Sequence, residues 1–92
     1  MTEAEAERIA IEVLGWMASD DDIIGGFLGV SGASPDDIRK RASDPAFLGF
    51  VLDYLLSDDA MVMAFADATN CPADRPFQAR SALPGGAVPH WT

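Results

Sequence analysis

Four times the chain writes a serine and an aspartate or proline, then an apolar run: "SDDDII" from Ser19, "SPDDI" from Ser34, "SDPAF" from Ser43 and "SDDAM" from Ser57. Short oxygen-bearing side chains ahead of an apolar run satisfy the free N–H groups that a helix leaves at its amino end. Carboxylates placed there also meet the positive end of the helix dipole. Start signals this close together allow only short helices, and short helices persist in water only when packed on one another. The punctuation therefore predicts an all-α bundle. No segment alternates with period two over a useful length, so no strand is expected.

The elements follow from the same signals. Thr2 and Glu5 make a capping box, and Ile9, Val13, Trp16 and Met17 give the first helix a buried stripe up to about Ala18. The second helix starts within Ser19 to Asp22, turns Ile23, Ile24, Phe27 and Leu28 inward, and stops at Gly32. Ser34 with Pro35 opens a third helix and Asp44 with Pro45 a fourth. The fourth is apolar nearly all round, through Phe47, Leu48, Phe50, Val51, Leu52, Tyr54, Leu55 and Leu56, which places it at the centre. A fifth runs from Ser57 past Met61 and Phe65 to Asn70, and a short sixth spans about Asp74 to Ala82 before Pro84. The expectation is a compact bundle of five or six helices over residues 1–82, with residues 83–92 as a tail packed on it.

The two halves resemble each other. A gapless shift of 38 residues lays "VLGWMASDDDIIGGFLGVSG" on "VLDYLLSDDAMVMAFADATN". Trp16 meets Tyr54, Phe27 meets Phe65, and Gly32 meets Asn70, the two residue types that best tolerate a left-handed helix stop. Either the domain is a pair of pseudo-repeated three-helix units, or unrelated helix pairs share a capping grammar. In the first case the backbones of residues 13–36 and 51–74 should correspond.

Charge narrows the function. The chain carries fifteen acidic residues against six basic ones, a formal net charge of −9. Most of the aspartates, including Asp20, Asp21, Asp22, Asp36, Asp37, Asp44, Asp58, Asp59 and Asp74, fall at helix starts, where capping explains them. "DDD" at Asp20 lacks the alternating carboxylates, the glycine and the closing glutamate of a calcium loop, so no metal is expected. "IRKR" at Ile38 is the one dense positive cluster; Arg41 is placed to pair with Asp37, and all three cations complement a helix end. A nucleic-acid partner is not expected on so acidic a chain.

Nucleophilic catalysis needs a nucleophile beside a base. The single cysteine, Cys71, and the single histidine, His90, are nineteen residues apart, and no phosphate-binding or dinucleotide motif is present. No enzyme activity and no cofactor are expected. The amino-terminal "MTEAEAER" has neither an apolar core nor a basic character, so neither a secretory signal nor a transit peptide is read there. "FLGFVLDYLL" is about half a membrane span. A cytoplasmic protein without a membrane partner is the expectation.

Three features stand apart from the fold. Gly25 and Gly29 share one edge of the second helix with Gly26 beside them, each at a propensity loss of about 1 kcal/mol relative to alanine. Either that helix frays, or its smooth face admits another helix or the tail. Ile11 points away from its own helix's apolar stripe, as an oligomer contact or a landing site would. The ending "LPGGAVPHWT" holds His90 and Trp91 and reads as a strap, docked on the glycine face or offered to a partner.

The segments "LGWMASDDDIIGGFL" and "SPDDIRKRASDPAFLGFVLDYLLSDD", with "LPGG" and "PHWT" at the end, resemble a family of short bacterial proteins of unknown function known mainly from alphaproteobacterial genomes. That resemblance implies a bacterial cytoplasmic setting and carries over no catalytic or binding residue. The functional expectation is a noncatalytic protein-interaction or regulatory module that binds a protein partner, or itself, through His90, Trp91, Gly25, Gly29 and Ile11. The rivals are an enzyme or small-ligand binder with a pocket between the halves around Cys71 or His90, and a nucleic-acid mimic.

Overall fold

The structure is a computed structural model, and residues 1–83 of it are described. Six helices follow one another: α1 (Glu3–Ala18), α2 (Asp21–Ser31), α3 (Pro35–Arg41), α4 (Pro45–Leu56), α5 (Asp59–Thr69) and α6 (Arg75–Ala82). The described residues contain no strand. The all-α bundle expected from the sequence is the fold observed.

Aspartate and serine divide the labour at two of the joints. Ser19 ends α1 by donating its hydroxyl to the Trp16 carbonyl at 2.6 Å, while Asp20 opens α2 by accepting from the N–H groups of Asp22 and Ile23. Ser57 and Asp58 repeat this between α4 and α5: Ser57 donates to the Tyr54 carbonyl at 2.7 Å, and Asp58 accepts from Ala60 and Met61. Thus the "SD" pair is a stop and a start. Ser34 and Asp37 close a full capping box at α3, whereas at α1 only the threonine half forms, with Glu5 N–H donating to Thr2 Oγ1. Asp74 departs from the pattern, since it makes no capping bond and instead accepts from Gln78 Nε2 at 3.1 Å.

The 38-residue repeat is matched by the helix boundaries of its first two helices. α1 and α4 end at equivalent residues, α2 and α5 start and end at equivalent residues, and both close on a left-handed residue, Gly32 at φ 70° and Asn70 at φ 56°. The aromatic contacts are exchanged between the halves. Trp16 of α1 packs edge-on against Phe65 of α5 at 5.6 Å, and its counterpart Tyr54 of α4 packs against Phe27 of α2 at 5.2 Å. Each half therefore supplies an aromatic ring to the other's second helix.

The third helices of the two halves differ in how they pack. α3 buries no residue, and only Ile38 with the capping Ala42 leans on the core. α6 buries Pro76 and Ala79 and packs on both α1 and α4. Two causes are visible. The link from Arg41 to Pro45 ties α3 to the start of α4, whereas α6 has no following helix to serve among the described residues. α6 also uses a seat that exists on one side only. The Arg80 guanidinium lies so close over Gly49 that an added Cβ would stand 3.1 Å from it, and the equivalent of Gly49 on α1 is Ile11.

The core is built from α1 and α4 in equal measure. Ala6, Ile9, Ala10, Val13, Leu14 and Met17 are buried from α1, and Phe47, Leu48, Gly49, Val51, Leu52 and Leu55 from α4. The central position expected for the fourth helix is shared, because α1 packs mainly on α2, α4 and α6 while α4 packs mainly on α1, α5 and α6. An ion pair ties the last helix down: Arg80 Nε donates to Asp53 Oδ1 at 2.6 Å, with the Arg80 side chain 13% and the Asp53 side chain 31% exposed. Spanning 27 residues, this pair is invisible to local pattern.

Candidate interaction surface

The outer face of α2 is bare. Its exposed residues between Asp22 and Gly32 are Gly25, Gly26, Gly29 and Val30, so no polar side chain covers the helix there. Gly26 has an internal reason. The Tyr54 hydroxyl lies against it, and a Cβ added to Gly26 would stand 2.7 Å from that oxygen. The absence of a side chain at Gly26 makes room for that hydroxyl. Gly25 and Gly29 have no such reason: no described atom would come within 4 Å of a Cβ at either position.

Below this face sits an aromatic cluster. Phe27 receives three rings from α4 edge-on, Phe47 at 6.0 Å, Phe50 at 5.6 Å and Tyr54 at 5.2 Å. Such contacts contribute about 0.5–1.5 kcal/mol each beyond burial, so α2 is held by its one fully buried ring. Phe50 remains 38% exposed and Val30 67% exposed. Val30 follows Gly26 by one helical turn, and Phe50 precedes Tyr54 by one turn on α4, so apolar side chains edge the glycine strip from both helices.

Of the residues singled out by sequence, Gly25 and Gly29 lie together on this face. Ile11 lies on α1 at 49% exposure, at the position whose counterpart Gly49 is covered by Arg80. His90 and Trp91, with the strap reading of the tail, lie outside the described residues. Phe50, Val30 and Tyr54 were not singled out as surface residues. The signal for Tyr54 and Gly26 was present in the repeat alignment, where Tyr54 stands for Trp16 while Gly26 stands for Ala64.

A second concavity lies elsewhere. An open cleft of about 380 Å³ runs between α1 and the start of α6, lined by Glu5, Arg8, Ile9, Glu12, Cys71, Pro72 and Arg75. Cys71 is half-buried there and packs against the core. Burial first, and the Glu12 carboxylate second, push its thiol above the ordinary value, against a smaller opposite pull from Arg75. The thiol is therefore protonated at neutral pH, and the nucleophilic form is disfavoured. Cys71 thus stands in a cleft between the halves, with α1 on one side and the α5–α6 link and the start of α6 on the other, where the small-ligand reading places it.

The charged groups behave mainly as parts of helices. Asp37 accepts from the Ser34 backbone N–H at 3.0 Å and caps its own helix, and Arg41 makes no direct contact with it but attracts it from further off. The Ser34 N–H first, and the Ser34 hydroxyl next, hold the Asp37 carboxyl below its ordinary value. Arg39, Lys40 and Arg41 stand exposed in the last turn of α3. Among the described residues no group of three or more His, Cys, Asp or Glu side chains is arranged to hold a metal ion. No described helix is long and apolar enough to cross a membrane.

The comparisons with known proteins are sparse. No curated protein and no solved structure matches the chain. A protein-family model described as a protein of unknown function (DUF3572) matches residues 3–86, so the chain belongs to that family.

Proposed function

We propose that this protein is a noncatalytic interaction module whose binding face is the outside of α2, edged by Val30 and Phe50. The observation that carries this reading is the pair Gly25 and Gly29. Each lowers helix propensity by about 1 kcal/mol relative to alanine, and nothing described within the chain makes use of the missing side chains. A partner that approaches the α2 backbone closely supplies that use, and the exposed Val30 and Phe50 supply apolar area beside it. We place the module in a bacterial cytoplasm, on the sequence resemblance.

The alternative of a small-ligand binder rests on the cleft around Cys71. The nucleic-acid mimic is disfavoured, because Asp20, Asp37, Asp44 and Asp58 are spent on capping four separate helices rather than gathered into one stripe.

The test is affinity enrichment from a bacterial lysate with the full chain, with Val30→Asp and with Gly25→Leu/Gly29→Leu, each variant first shown to fold by circular dichroism. The expected result is a specific protein retained by the wild type and lost by both variants. No specific partner for the wild type, together with a thermal shift produced by one metabolite and abolished by Arg75→Glu, would overturn the reading in favour of the cleft.

A further inference from the structure

We draw no further inference here: the strongest candidate, the open cleft between α1 and the start of α6 lined by Arg8, Arg75, Glu5, Glu12 and Cys71, sets two guanidinium groups against two carboxylates, and nothing in the structure shows what fills it.

Discussion

Alanine substitution along α2 separates glycines kept for internal packing from glycines without an internal use. At Gly25 and Gly29 a Cβ meets no described atom within 4 Å, so alanine adds no clash and removes the backbone entropy that glycine loses on folding. Gly25 lies in the middle of α2 and Gly29 in its last turn, where the gain is smaller. Taking about 0.5–1 kcal/mol per site, the double variant Gly25→Ala/Gly29→Ala is more stable by about 1.5 kcal/mol, which raises the melting temperature of a domain this size by about 6–12 °C. Gly26→Ala gains less, because its propensity gain is offset by a contact with Tyr54. The added Cβ would stand 2.7 Å from the Tyr54 hydroxyl, so that oxygen, at the end of a ring packed edge-on against Phe27, must shift. In a Tyr54→Phe background the nearest remaining atom is the ring carbon at 3.9 Å, an ordinary contact. There Gly26→Ala keeps its full gain. Thermal and urea unfolding of the six proteins, wild type, double variant, Gly26→Ala, Tyr54→Phe, the Gly26→Ala/Tyr54→Phe pair and Gly25→Ala alone, read all of these differences. A Gly26→Ala variant as stable as Gly25→Ala would refute the packing account, and a destabilised double variant would show that the outer face of α2 is already in use inside the chain.

Other outcomes follow from the same geometry. Double-mutant cycles on Trp16→Leu with Phe65→Leu, and on Tyr54→Leu with Phe27→Leu, should give couplings of about 0.5–1.5 kcal/mol at both sites; coupling at one site alone would remove the exchanged pair as a shared stabilising device. Cys71 should react with iodoacetamide at neutral pH more slowly than in the unfolded chain, because burial and Glu12 disfavour its thiolate. Faster reaction in the folded state would contradict that environment. Asp37, held below its ordinary 3.8 by the Ser34 N–H, contributes stability that is present above 3.8 and lost as pH falls from there through the native value. The stability gap between wild type and Asp37→Asn, followed by urea unfolding, should therefore close on acidification, and a gap independent of pH would exclude the capping carboxylate as its source.

Much of the fold was legible because capping is local chemistry. A carboxylate and the N–H groups two and three residues further on are close in sequence, so Asp20, Asp44 and Asp58 announce helices that the structure contains. Asp74 shows the limit of such a rule, since its carboxylate takes Gln78 instead of a free N–H and α6 begins without a side-chain cap. Position alone indicated a start there, and the partner it found was set by the next turn. Arg41 attracts Asp37 without touching it for a related reason. Two partners lay within reach of one carboxylate, and the backbone N–H of Ser34 is fixed by the turn whereas a long exposed arginine must lose rotamer freedom to pair.

The surface was less legible, because what a glycine is for depends on residues far away in sequence. Gly25, Gly26 and Gly29 look alike on a helical wheel, yet only Gly26 faces a ring, and that ring comes from the other half of the repeat. The repeat itself explains the asymmetry. The Arg80 guanidinium lies over Gly49 on α4, whereas the equivalent place on α1 carries Ile11, so the two halves have different neighbours. α5 carries Met63 and Asp67 where α2 has Gly25 and Gly29. Since the α2 glycines weaken their own helix and neither meets a described atom, whereas α5 folds over the same length without them, the difference is not a requirement of the fold the two halves share. That is the physical reason to look for function on the first half of the molecule, along α2.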